Sequence, residues 1–264
     1  MSPEPYYSDE SVTLYLGDMR EVLPALGIKP DCIVADPPYE ETGEGWDRWP
    51  GGWLEAAAQA ARSMWCWLPF RQFAAPPYRG TEFASAKWRL SHDIEAGWDH
   101  VTWEKNAGSG PSTGRLRRVH EPASHWYQGA WSGIWREVPR VPREGPSQGN
   151  AVRVGPGKAA HRSGGAYSGA AWRDDGYRDA RSVIRANSLR GKAINPTEKP
   201  VPVLDVLIRY ACPPGGLVLD PFAGSCSTLE AARACGRRAV GIELREQQAE
   251  TAARRLSQMV LAAS

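Results

Sequence analysis

Three short apolar runs, each ending on an acidic residue, constrain this chain more than any other feature. Cys32–Ala35 runs into Asp36, Leu217–Leu219 into Asp220, and Ala239–Ile242 into Glu243. Runs this short with no polar alternate positions read as strands covered on both faces. Between and after them the apolar spacing changes to that of helices. Leu54, Ala57, Ala58 and Ala61 share one face, as do Leu204, Leu207, Ile208 and Ala211, and Ala249, Ala252, Ala253, Leu256 and Val260. Ser227–Cys235 reads as a further helix with Gly236 as its stop, and Val12–Leu16, Met64–Phe70 and His100–Glu104 as further strands. Such alternation predicts an α/β fold, a mostly parallel sheet covered by helices. With 264 residues, 42% of them apolar, the chain can build one large core, with or without an insertion.

The patterning fails in the middle. About residues 106–192 are rich in Gly, Pro, Ser and Arg with weak periodicity, which predicts an irregular insertion between a half at 1–105 and a half at 193–264. From Arg136 to Lys192 there are 12 Lys and Arg against 5 Asp and Glu. That local excess of 7 positive charges sits inside a chain of net charge +2, so the remainder is net acidic by 5. The five cysteines are odd in number and form no C-x-x-C pair, which fits a reducing cytoplasm. No apolar stretch approaches the roughly 20 residues that cross a bilayer. His92, His100, His120, His125 and His161 lack metal-ligand spacing, so no metal is expected. Most of the 12 tryptophans, Trp65, Trp67 and Trp103 among them, are expected in the core.

Asp36-Pro37-Pro38-Tyr39 is the sharpest local signal. It follows a strand, and ligands of open α/β sheets bind beyond the strands' carboxyl ends. A strand-end turn alone would also use Asp and Pro. The chemistry these residues can perform is more specific. An amino group conjugated to a nucleobase is a poor nucleophile, because its lone pair is delocalised into the ring. The Asp36 carboxylate and the Pro37 carbonyl could accept both of its N–H bonds and localise that pair. Pro38 brings a fixed φ and no competing N–H, and Tyr39 a flat face for an extruded base.

A second signal lies between a strand and a helix: Asp220-Pro221-Phe222-Ala223-Gly224-Ser225-Cys226-Ser227-Thr228. Small residues there allow close backbone approach, and the helix N-terminus favours polar groups. Glu243 follows Asp220 at the distance where an acid meets ribose hydroxyls in nucleotide-binding βαβ units. Simple helix packing would account for the glycine-rich loop taken alone.

Together, in this order, these motifs resemble the permuted amino-methyltransferases of DNA, the group labelled β, in which the catalytic motif precedes the cofactor motif. Asn195-Pro196-Thr197-Glu198-Lys199-Pro200 is similar to the segment that opens that family's cofactor half. Trp103-Glu104-Lys105 and His120-Glu121 are similar to the segment after its catalytic half. The resemblance implies a Rossmann-like methyltransferase fold, S-adenosylmethionine as cofactor, and methyl transfer to adenine N6 in DNA by base flipping. By the same resemblance Asp36, Pro37, Pro38 and Tyr39 are catalytic. Asp18 would meet the cofactor adenine, Thr197 and Lys199 its carboxylate side, and Asp220, Phe222, Ala223, Gly224 and Ser225 its methionine end. Glu243 would hold the ribose. Cys226 departs from the family, which has glycine there, and a reduced cofactor affinity is expected.

Double-stranded DNA is the expected partner, through the basic segment 136–192, with Tyr167, Trp172 and Tyr177 interspersed. No membrane partner is expected, and the chain would be a monomer or homodimer. Cytosine N4 is the nearest rival target, because the same pocket logic serves it, and the leading Asp of the tetrapeptide leans towards adenine. A DNA-binding protein with a decayed cofactor site is a rival of another class, suggested by Cys226.

Overall fold

A computed structural model describes residues 3–40, 43–69, 72, 79–93, 97–98, 100–106, 116–143, 175–188 and 197–263. In chain order the elements are β1 (Tyr7–Ser8), β2 (Val12–Leu16), α1 (Met19–Leu26), β3 (Cys32–Ala35), α2 (Trp53–Ala60), β4 (Ser63–Trp67), α3 (Arg79–Ser85) and β5 (Arg89–Leu90). Then come β6 (His92–Asp93), β7 (Gly97–Trp98), β8 (His100–Lys105), β9 (His120–Tyr127), β10 (Arg140–Pro142), β11 (Tyr177–Asp179) and β12 (Val183–Ala186). The chain closes with α4 (Val201–Ala211), β13 (Leu217–Asp220), α5 (Ser227–Ala234), β14 (Arg238–Glu243) and α6 (Glu246–Ala263).

Ten strands form one sheet in the order β1-β2-β14-β13-β3-β4-β9-β8-β12, with β5 also on β9. The five strands from β2 to β4 are mutually parallel, whereas β9 is antiparallel to both of its neighbours β4 and β8. The expected α/β architecture is thus present. Alternate side chains of the central strands feed two cores. Cys32, Val34, Trp65 and Trp67 pack with α4, α5 and α6 on one face. Ile33, Ala35, Met64 and Cys66 pack with α1, α2 and α3 on the other. Burial on both faces is why these strands carry no polar alternate positions.

The segment 106–192, expected as an irregular insertion, contributes strands to the sheet. β9 stands between β4 and β8, and β12 pairs in parallel with β8. β9 (HEPASHWY) opens with polar residues and carries a proline, so its sequence hides a strand that is antiparallel and only partly buried. The strand expected at Met64–Phe70 ends at Trp67, ahead of Pro69. Helix α1 was not legible either, because Pro24 lies within its eight residues. Asp18 caps it, accepting the Arg20 amide at 2.9 Å, and Gly27 ends it at φ 61.

The described parts of the basic segment do not form one surface. The Glu137 amide donates to the Tyr210 carbonyl at 2.9 Å, and Arg209 donates to the Arg140 carbonyl at 3.0 Å. Both partners lie at the carboxyl end of α4, so the β10–β11 ribbon sits near the amino ends of the parallel strands. Arg140 and Asp175 pair within that ribbon at 2.5 Å. β12 then carries the chain back to Lys105. Lys192, Tyr167 and Trp172 lie outside the described residues. Among the described residues, no helix is long and apolar enough to cross a membrane, and no group of three His, Cys, Asp or Glu could hold a metal ion.

Candidate active site

The sheet changes direction between β3 and β13, which pair in parallel at Leu219 and Ile33. From β3 the chain crosses through α2 to β4 on one side, and from β13 through α5 to β14 on the other. The helices diverge to opposite faces and leave a crevice at the carboxyl ends, the topological switch point of open α/β sheets. A cavity of about 740 Å³ occupies it. Asp36, Pro37, Pro38 and Tyr39 form one wall, and Asp220, Phe222, Ala223, Gly224 and Ser225 another, with Asp18, Thr197, Lys199 and Glu243 around them. The candidate catalytic and cofactor-binding residues therefore all border a single space, although Asp36 and Asp220 are far apart in the chain.

Asp36 is held from two sides. The Tyr39 hydroxyl donates to its Oδ1 and the Lys199 ammonium to its Oδ2. Tyr39 Oη also lies 2.9 Å from the Trp67 carbonyl, and its amide donates to Asp47 at 2.8 Å, which fixes the turn after the two prolines. Burial raises the Asp36 carboxyl above its ordinary range, and Lys199 opposes that shift. Burial also pushes the Tyr39 phenol well up, so it stays a hydrogen-bond donor.

Lys199 borders the same cavity and bonds to the Asp36 side of it. Its side chain is only 7% exposed and turns to Asp36, to Glu121 at 3.4 Å and to the Thr197 carbonyl at 3.4 Å. A buried ammonium requires carboxylates, and these supply them. Burial would lower the Lys199 pKa, but Asp36 and Glu121 carry it above its ordinary value. Glu121 in turn bonds Lys105, and the two lysines bring its carboxyl below the usual range against the effect of burial.

Around the glycine-rich loop, the Glu243 carboxylate accepts the Gly224 amide at 2.8 Å and the Arg245 amide at 2.9 Å. Its Oε1 also takes the Arg245 guanidinium at 3.1 Å, whereas Oε2 keeps a further lone pair for a ligand hydroxyl. Burial pushes the Asp220 carboxyl up to about 7, with the Phe222 amide donating to it at 3.0 Å. Phe222 stands edge-on to Trp53, ring centres 5.2 Å apart. Asp18 borders the cavity but also binds the Arg20 guanidinium at 2.5 Å, so the expected contact begins as an ion pair.

Cys226 has φ 62 and ψ 27, the left-handed conformation that glycine would adopt. Its side chain is fully buried in the core beneath α5, while Ser225 and Ser227 face the cavity. The loop keeps the shape a glycine would give it, at a cost in backbone strain, and the thiol stays off the cavity wall.

Sequence reasoning missed Trp46, Trp49, Arg118 and Arg245, all on the cavity wall. Arg245 lies 4.5 Å over the Trp46 ring, and Trp49 donates to Glu82 at 2.6 Å. The signal was available in Trp46-Asp47-Arg48-Trp49, two tryptophans soon after Asp36-Pro37-Pro38-Tyr39 and outside any apolar run. Trp65, Trp67 and Trp103 are buried as expected, and Trp67 also reaches the cavity.

A parallel sheet with acids at adjacent strand ends, a glycine-rich turn and a proline-fixed Asp defines a nucleotide-type α/β transferase site. The DNA methylase family matches over residues 30–254, and the chain belongs to this N6/N4 family. Its members draw the methyl group from S-adenosylmethionine. Two proteins of Escherichia coli K12 are similar over short stretches: putative methylase YubD, 51% identical over 67 residues, and DNA adenine methyltransferase YhdJ, 44% over 62. Those matches cover 25% and 24% of this chain, and only 30% and 21% of the two relatives' lengths. Type II methyltransferase M.ScaI of Streptomyces caespitosus is 26% identical over 96% of this chain and 84% of its own length. Among solved structures, the M1.HpyAVI–SAM complex superposes with a TM-score of 0.61 at 19% identity, covering 92% of this chain and 99% of that one. The cytosine-N4-specific PvuII DNA methyltransferase gives 0.60 at 12% identity, covering 95% and 88%. At such identities these structures share the fold.

Proposed function

We propose that the chain transfers a methyl group from S-adenosylmethionine to the N6 amino group of an adenine flipped out of duplex DNA. The observation that carries this reading is the single cavity onto which both Asp36-Pro37-Pro38-Tyr39 and the loop from Asp220 to Ser225 open. Its volume of about 740 Å³ suits two reactants side by side. The donor set fits the cofactor: Glu243 for ribose hydroxyls, backbone of the glycine-rich turn for the methionine end, and Trp46, Trp49 and Phe222 as apolar walls. When bound, S-adenosylmethionine supplies an electrophilic sulfonium methyl.

The protein's part is positioning and charge. Asp36 and the Pro37 carbonyl accept the two N–H bonds of the target amino group and direct its lone pair at the methyl. On transfer the nitrogen would release one proton, for which the Asp36 carboxylate stands as acceptor. The Asp36 carboxylate stabilises the positive charge that builds on nitrogen, and Tyr39 keeps that carboxylate oriented. Base extrusion costs a few kcal/mol, offset by stacking and hydrogen bonds in the pocket. DNA would enter from the cavity's open side, where Arg48 and Arg118 line the rim beside exposed Arg117 and Leu116. The β10–β11 ribbon stands away from that opening, whereas β12 brings Arg185 of the basic segment opposite Glu104, next to Lys105 on the cavity wall.

Nucleoside mass spectrometry of unmethylated DNA, incubated with the protein and S-adenosylmethionine, tests the reaction. N6-methyladenine is expected, and N4-methylcytosine would move the target to the other base. Asp36→Ala should abolish transfer while retaining cofactor binding. Near wild-type transfer by that variant would rule the mechanism out.

A further inference from the structure

Four charged groups alternate along one line at the edge of the cavity: Lys105, Glu121, Lys199 and Asp36. We propose that Glu121 is a positioning residue, holding the Lys199 ammonium between two carboxylates and so fixing where Asp36 presents its oxygens. The inference rests on the reading that Asp36 receives the target amino group.

The fold delivers these groups from four separate places. Asp36 follows β3, Lys199 precedes α4, Lys105 ends β8, and Glu121 is the second residue of β9. β9 runs antiparallel to β4, so its first residues emerge at the carboxyl ends of the parallel strands, beside the cavity. Glu121 Oε1 takes Lys105 and its Oε2 lies 3.4 Å from Lys199. Each lysine also lies over an indole, Lys105 4.7 Å from Trp103 and Lys199 5.2 Å from Trp67. The two indoles meet edge to face with centres 6.4 Å apart, forming a stiff floor under both ammonium groups.

The electrostatics make Glu121 necessary to this arrangement. The four formal charges sum to zero. Without the Glu121 charge, two ammonium groups would share a confined site with one carboxylate and would repel each other. Lys199 sits on a flexible four-carbon stem and would be displaced, taking with it the bond that orients Asp36. Asp36 is bonded by Tyr39 and Lys199, and Glu121 by the two lysines, so Glu121 acts on Asp36 through Lys199.

Methyl transfer to unmethylated plasmid DNA by Glu121→Gln is the test. The turnover number kcat should fall about tenfold or more, with the KM for S-adenosylmethionine changed by no more than about threefold. Lys199→Met should lose a similar factor, and the double variant should be no worse than Lys199→Met alone, because one acts through the other. Glu121→Asp keeps the charge and should recover part of the lost rate, and it serves as the readout if Glu121→Gln does not fold. A Glu121→Gln enzyme within about twofold of wild type, or losses that multiply in the double variant, would overturn the proposal. Retained transfer by Asp36→Ala in the same assay would instead overturn the reading on which it rests.

Discussion

His125 should make the fold sensitive to acid, and the size of the effect follows from its surroundings. It lies on β9 with 0% exposure, between Trp65, Trp131 and Tyr210, at ring-centre distances of 5.1, 5.9 and 5.6 Å. Its Nε2 is 2.9 Å from the Ser63 hydroxyl. Burial, with Arg136 nearby, lowers its pKa from 6.5 to about 3. The native state therefore keeps the ring neutral while the unfolded chain protonates it below pH 6.5. Stability from this group is fully present above pH 6.5 and is lost progressively as pH falls towards 3. At pH 5 the loss is about 2 kcal/mol, from about 1.4 kcal/mol per pH unit over about 1.5 units. Asp220 works in the opposite sense. Its carboxyl, pushed up to about 7, takes a proton in the native state well before the unfolded carboxyl does. It therefore adds stability as pH falls from 7 towards 3.8, and wild type alone would conceal both effects. The difference between His125→Gln and wild type isolates the histidine. Measured by thermal unfolding at pH 7.5 and pH 5.0, that difference should move in favour of the variant by about 2 kcal/mol, roughly 4–8 °C in Tm. A difference independent of pH would refute the claim that His125 is held neutral.

Two other perturbations test the cofactor half. Cys226→Gly removes the left-handed strain but also the buried thiol, so stability should change by no more than about 1 kcal/mol and cofactor affinity by less than about threefold. Cys226→Val, β-branched at φ 62, should cost about 2 kcal/mol or more in urea unfolding; equal stability of the two variants would contradict the assigned conformation. Arg255 binds Glu198 at 2.6 Å and also Glu230, and the Glu198 side chain is 2% exposed. Arg255→Met should destabilise by about 3 kcal/mol because it strips a buried carboxylate of its guanidinium. Adding Glu198→Gln should restore much of that loss, and no restoration would refute the assignment.

The strands β3, β13 and β14 were legible because burial on both faces leaves unbroken apolar runs, and their terminal acids marked the ligand end of the sheet. The helices after Gly52 and Pro200 were legible from one-sided spacing. Asp36-Pro37-Pro38-Tyr39 and the Asp220 loop could be singled out because their chemistry is carried by adjacent residues. β9 and β12 were not, since antiparallel and edge strands tolerate Pro, His and Arg.

By itself, then, the sequence determined the α/β class, the two half-sites and the order in which they occur along the chain. Tertiary structure alone decided that the half-sites share one cavity, because β3 and β13 become neighbours only through pairing across some 180 residues. It also paired Lys199 with Asp36 and placed Glu121 behind it. It split the described arginines of the basic segment between the β10–β11 ribbon and β12, whose Arg185 pairs with Glu104 beside Lys105, and packed the Cys226 thiol into the core. Each of these outcomes depends on which partner a charge or side chain meets when buried, and partners distant in sequence are chosen only by the packing of the folded chain.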